Sequence, residues 1–187
     1  MSNDNVDFSV WDDMPPEEVR SFLINDARKP ARAIMAAEVL KVIAREGPHL
    51  IMLEVGPGVG YDYARYYEAL VRAERLIYVG YEGSRTLCRA LQTKFVDDPA
   101  ILGRLPSFTE HGFSDLRAME AEIVLSSNVL EHQPSLEPAL TQQLRAAKHL
   151  VGIKWFIPPG EHEIIRPNFS GNVHANYYRK ADVAAAF

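Results

Sequence analysis

Residues 53 to 60 read Leu-Glu-Val-Gly-Pro-Gly-Val-Gly, an acid followed by three alternating glycines. Gly56, Gly58 and Gly60 let the backbone turn sharply and let a ligand approach with no Cβ in the way. Three alternating glycines are more than a plain strand-to-helix loop requires, so the segment reads as a ligand cradle. Charge narrows the ligand. A dinucleotide pyrophosphate suits GxGxxG opening onto a helix N-terminus with no carboxylate beside it. Here Tyr61 holds the sixth position of that pattern, and Glu54 stands two residues before Gly56. An anion at that place opposes a pyrophosphate and favours a cation by about 1–4 kcal/mol at contact, depending on the local dielectric. S-adenosylmethionine fits better, because it carries an α-ammonium and a sulfonium and no phosphate. A second acid, Glu82, lies 22 residues after Gly60 at the end of the next apolar run. A carboxylate there can accept both ribose hydroxyls, a device that NAD sites share, so Glu82 alone does not choose between cofactors.

The remaining candidates are weaker. His132 follows a third apolar run, where open α/β sheets place their ligands, and is the best candidate for a general base. A base is needed only if the nucleophile must lose a proton; His132 could equally cap the next helix or shape the pocket. Glu131 reads as structural, and His111, His149, His162 and His174 as surface or loop residues. Trp11, Trp155, Phe156, Tyr177 and Tyr178 could face an acceptor, with core packing the default for any one of them.

These residues need a scaffold, and the hydrophobic pattern supplies it. Pro15 and Pro16 suit the start of a helix with Val19, Phe22 and Leu23 on one face, ending near Lys29 and Pro30. A second helix spans residues 31–46 with Met35, Val39 and Ile43 at spacings of four, and Gly47-Pro48 stops it. Residues 50–55 then form a continuous apolar run, the pattern of a strand buried on both faces. Strand and helix alternate from there: helix 61–73, strand 76–81, helix 84–95 with Leu87, Leu91 and Phe95 on one face, and a weaker strand near 107–109. A buried strand at 123–126 follows. Ser135 can cap a helix reaching about His149, with Leu140, Leu144 and Ala147 inward, before a last strand at 150–157 and a final helix from Tyr177. This alternation predicts an α/β fold, a doubly wound and mostly parallel sheet flanked by helices. Residues 1–30 are expected to form an N-terminal segment and helix acting as a lid, and residues 31–187 one domain.

Composition agrees. The chain has 187 residues, 47% hydrophobic and 24% charged, with 20 basic against 25 acidic side chains and a net charge of −5. That excludes a disordered polyelectrolyte. A single cysteine, Cys88, excludes a disulfide framework or a zinc site of several thiolates. No apolar run approaches the roughly 20 residues that span a bilayer, and the N-terminus is acidic where a signal peptide would be basic, so a cytoplasmic protein without membrane association is expected. The mild acidity offers no footprint for a nucleic-acid backbone.

The cradle, the acid ending the second strand, and the stretch from Ala121 to His132, AEIVLSSNVLEH, together resemble the class I S-adenosylmethionine-dependent methyltransferases, in particular their small-molecule branch. The resemblance covers about residues 31–187 and implies S-adenosyl-L-methionine as cofactor and a small-molecule acceptor, methylated on oxygen or nitrogen. It also implies that Glu54 and the backbone of Gly56, Pro57, Gly58 and Gly60 hold the methionine end. Glu82 and Gly83 would hold the ribose, and Ser127 and Asn128 would lie along the methionine and the sulfonium. Phe113 occupies the place of the family's usual acid near adenine, so the resemblance leaves stacking by Phe113 or a contact from Ser114 or Asp115 open. No metal is expected. The fourth strand ends in Ser-Ser-Asn-Val, unlike the motif of base-amine methyltransferases, and Cys88 falls in a predicted helix. The alternatives are a non-catalytic binding module on the same fold and a nicotinamide-dependent oxidoreductase. The family's sheet ordinarily ends in two further strands; here they are expected to be lacking, which would leave the fifth strand an apolar edge suited to homodimer formation.

Overall fold

Among the described residues, the apolar runs become a five-stranded, wholly parallel sheet in the order β3-β2-β1-β4-β5, as shown by a computed structural model. The structure describes residues 30–97, 106–110, 116, 119–133 and 135–154, with residues 15, 17 and 21 besides. Outside them lie Val19, Phe22 and Leu23 of the expected first helix, and Trp11, His111, Phe113, Ser114 and Asp115. So do residues 155–187, with Trp155, Phe156, His162, His174, Tyr177, Tyr178 and the expected final helix.

The strands are β1 (Leu50–Val55), β2 (Leu76–Glu82), β3 (Ser107–Glu110), β4 (Ala121–Ser127) and β5 (Ala147–Lys154). Helix α1 (Pro30–Glu46) precedes β1; a π-helical turn (Tyr63–Tyr67) running into α2 (Glu68–Arg72) links β1 to β2, and α3 (Arg85–Phe95) follows β2. A 3-10 turn (Leu130–His132) and α4 (Leu136–Ala146) join β4 to β5. Period-two alternation along the strands divides the core into two layers. On one face Val39, Val42 and Ile43 of α1, Tyr63, Tyr67 and Val71, and Leu91 and Phe95 of α3 pack on Met52, Tyr78, Ile123 and Leu125. On the other, Ala139, Leu140 and Ala146 of α4 pack on Leu53, Val55, Tyr81 and Val124. Helices on both faces explain why β1 shows no alternation in sequence: all but one of its residues are buried.

The order places β2 and β3 on one side of β1 and β4 and β5 on the other, so the chain reverses direction across the sheet between β1 and β4. Loops leaving the C-terminal ends of strands at such a switch point form a crevice. The glycine segment leaves β1 there, and Ser127 to His132 leave β4 beside it.

Four expectations are corrected. The helix expected to reach about His149 stops at Ala146, and β5 begins at Ala147 rather than at residue 150. Ala147 pairs with Ala121 of β4, and Lys148 reaches across to Glu120 and Glu122 at 3.3 and 3.4 Å, so an apparent helical surface is a strand held by cross-strand ion pairs. Leu144, expected inward, is 39% exposed, and Gln143 takes the buried place, accepting a hydrogen bond from Ser126 Oγ at 2.9 Å. Ser135 holds the N-cap position of α4 without a side-chain capping bond, whereas Ser84 caps α3 through Leu87 N at 3.1 Å. The helix expected over 61–73 is wound one residue wider at Tyr63–Tyr67, where Glu68 N bonds to Tyr63 O; the wider turn goes with Tyr63 and Tyr67 both being buried.

Candidate functional site

Gly56, Gly58 and Gly60 all adopt left-handed backbone angles, φ +67°, +60° and +71°. The reasons differ. A Cβ on Gly56 would lie 2.5 Å from Val129 Cγ2, so this glycine lets the chain after β4 lie directly against the loop. A Cβ on Gly60 would strike Phe95 and Leu91 of α3 at 2.6 and 2.7 Å. Gly60 thus serves helix packing, whatever its backbone does for a ligand. Replacing it with alanine combines left-handed strain and overpacking, an expected loss of about 2–4 kcal/mol in urea unfolding. Gly58 carries the polar link: its N–H donates to Glu82 Oε2 at 2.9 Å, while Glu82 Oε1 accepts from Ser84 N at 2.9 Å. The carboxylate at the end of β2 therefore ties the cradle to the first turn of α3. Pro57 is buried and Gly83 half-buried at the same rim.

Glu54 lies deeper than its sequence position suggests. It is 2% exposed, and Tyr78 donates its hydroxyl to Oε2 at 2.6 Å. Beside it, Arg32 of α1 forms a buried ion pair with Asp62. Arg32 also stands 5.7 Å from the centroid of the Tyr61 ring. Sequence reasoning missed Arg32 and Asp62; the signal available was an arginine on the apolar side of a helix otherwise carrying Ala36, Val39 and Ile43. Burial, reinforced by the nearby Asp62 charge, pushes the Glu54 carboxyl up to about 8. At neutral pH the ligand-free carboxyl is then mostly protonated, and the argument from charge against a pyrophosphate loses its force at Glu54. The cluster balances internally: Arg32 against Asp62, with Glu54 neutral.

The linkage has a definite sign. The folded-state affinity of Glu54 for its proton is raised above the unfolded value, so its contribution to stability is fully present below about pH 4.5 and is lost as pH rises towards about 8. Urea unfolding at intervals from pH 5 to 8 is expected to show that decline, and Glu54→Gln is expected to flatten it. An unchanged slope in the variant would place the titration elsewhere.

At the end of β4, Ser127 is buried with no hydrogen-bond partner for Oγ. Asn128 takes φ +56°, its N–H donates to Lys154 O at 2.7 Å, and its Oδ1 accepts from Lys154 Nζ at 2.6 Å. Lys154, which ends β5, is only 8% exposed and was not anticipated from sequence. His132 closes the 3-10 turn half-buried, its N–H donating to Val129 O at 3.1 Å. The structure thus brings Glu82, the three glycines, Ser127, Asn128 and His132 to the same end of the sheet, with Glu54 at its base. Among the described residues no group of three His, Cys, Asp or Glu side chains comes together, and no helix is long and apolar enough to cross a membrane.

The doubly wound parallel sheet in this order is a methyltransferase-like α/β fold. Among solved structures, the chain is similar to the magnesium protoporphyrin IX methyltransferase of Synechocystis PCC 6803 with bound SAM, at a TM-score of 0.62 and 18% identity over 96% of this chain and 75% of that one. The same enzyme with bound SAH matches at 0.57 and 17%, over 87% and 74%. The plantazolicin methyltransferase BpumL, in complex with a pentazolic desmethylPZN analog and SAH, matches at 0.55 and 14%, over 75% and 52%. No family model matches the chain, and no curated protein does.

Proposed function

We propose that the chain binds S-adenosyl-L-methionine and transfers its methyl group to an oxygen or nitrogen of a small-molecule acceptor. The observation that carries this is the Gly58 N–H donated to the Glu82 carboxylate at the switch point of a methyltransferase-like fold, an acid against the glycine loop where it would oppose a phosphate. The residues fit the cofactor. The left-handed glycines keep Cβ atoms out of its path, Glu82 ends β2 beside the glycine loop, and the buried Ser127 Oγ at the end of β4 has no hydrogen-bond partner. The likeness to structures holding SAM or SAH supports the same assignment.

When bound, the cofactor supplies a methyl group already activated on a sulfonium. The chain's task is then alignment and exclusion of water. In this reading Gly56, Pro57, Gly58 and Gly60 would shape the methionine end over Glu54, which in its carboxylate form would pair with the ammonium. Glu82 and Gly83 hold the ribose, and Phe113 and Ser114 serve the adenine. His132, at the mouth of β4, is the base where the acceptor must lose a proton; a neutral amine acceptor would not need it.

Incubation with methyl-labelled S-adenosylmethionine and a panel of small carboxylic acids, alcohols, phenols and amines tests the proposal. Label transferred to any acceptor supports it. Retained cofactor binding with no transfer across the panel would instead favour a non-catalytic binding module.

A further inference from the structure

The two lysines of β5 sit in opposite settings. Lys148, near the start of the strand, is exposed and lies against Glu120 and Glu122, where its charge serves the sheet. Lys154, at the far end, is buried. Taking an ammonium out of water is costly, so its placement calls for a reason. Ser126 directs its hydroxyl to Gln143 on the α4 side of the sheet, so Ser127 faces the opposite side, which carries Glu54 and Glu82. Lys154 pairs with Ser127 and therefore shares that face.

Nζ reaches past the end of β4 to Asn128, whose Oδ1 accepts at 2.6 Å, and Lys154 O accepts from Asn128 N at 2.7 Å. Bonds at both ends of the lysine fix it. The amide oxygen is neutral, so its bond holds the ammonium in place without cancelling the charge. The glycine loop follows β1, Asn128 follows β4, and Lys154 ends β5. The lysine thus stands across Asn128 from the glycine loop, with β4 between it and the cradle proposed for the cofactor.

We infer that Lys154 binds the acceptor, and that the acceptor is a carboxylate methylated on oxygen. The inference rests on the cofactor reading above and narrows it. A carboxylic acid is ionised at neutral pH, so it arrives as the anion that a fixed ammonium attracts. One of its oxygens accepts from Nζ, and the other keeps its lone pairs for the methyl carbon. As that second oxygen forms the O–CH3 bond, the S–CH3 bond breaks and its electron pair stays on sulfur. The carboxylate and sulfonium charges cancel, leaving a neutral ester and a neutral thioether. No proton moves, so His132 has none to take from this acceptor. An amine would instead become a cation beside the ammonium.

Incubation of the full chain with methyl-labelled S-adenosylmethionine and small acids paired with amines of the same skeleton, benzoic acid with benzylamine and decanoic acid with decylamine among them, tests it. Label is expected in the acids and is released as methanol by alkali, which a methyl ester allows and an N-methyl group does not. Lys154→Met is expected to lower that transfer about a hundredfold, while calorimetric affinity for S-adenosylhomocysteine stays within about twofold. Lys154→Arg, still a cation able to donate to Asn128 Oδ1, should recover about a tenth of the transfer or more. A merely structural lysine would move cofactor affinity and transfer together. Label on the amines, label stable to alkali, no label on any acid, full transfer in Lys154→Met, or a matching loss of cofactor affinity in that variant overturns the inference. In each of those cases binding of S-adenosylhomocysteine by the unaltered protein leaves the cofactor reading standing; absence of that binding overturns both.

Discussion

Replacing Glu82 with alanine is expected to weaken S-adenosylhomocysteine more than a hundredfold and to lower stability as well. Two hydrogen bonds from ribose hydroxyls to a carboxylate contribute about 1.5–3 kcal/mol each, and a loss of about 3–6 kcal/mol corresponds to at least two decades in affinity. The stability effect has a separate origin. Gly58 N and Ser84 N both lose their acceptor, at about 1–3 kcal/mol for a buried donor left unpaired. Glu82→Gln is no remedy, because its NH2 would face one of two N–H donors. Calorimetry and urea unfolding on the same variant separate the two effects. Full affinity in Glu82→Ala would contradict the placement of the ribose.

Arg32→Met is expected to cost about 3–5 kcal/mol, a fall of roughly 10 °C in Tm for a chain of this size. The arginine ties α1 to Asp62, and both side chains are almost fully buried. Without it Asp62 stays buried beside Glu54, and the two carboxyls must share protons. The double variant Arg32→Met/Asp62→Leu is expected to recover most of the loss, since an apolar pair of similar volume needs no desolvation. Thermal unfolding of the two variants decides the matter. A single variant within about 1 kcal/mol of the parent would show the pair to be solvated.

The parts of this fold legible in the sequence are those with strong local signals. Leu50–Val55 and Leu76–Glu82 show as apolar runs because helices cover both faces of the sheet, and Ser84 and the glycines mark the loop ends. The boundary between α4 and β5 was not legible. Lys148 and His149 continue a helical pattern, and only pairing with β4, a contact distant in sequence, turns them into a strand. In the site, Gly56, Gly58 and Glu82 follow from spacing and charge. Arg32, Asp62 and Lys154 do not, because each owes its place to a partner on another element, and a single charged residue carries no periodic signature. Glu54 was found, but its ionisation was misjudged: burial and Asp62 raise its carboxyl to about 8, which no spacing reveals.

The central claim is the identity of the ligand in the crevice, and direct calorimetric titration of the unaltered protein with S-adenosylhomocysteine and with NADH tests it. Saturable binding of S-adenosylhomocysteine, abolished by Gly58→Asp, with no heat from NADH, is the expected result. The aspartate would place a like charge against Glu82 at a left-handed position. Binding of NADH in place of S-adenosylhomocysteine, or of neither, would contradict the account.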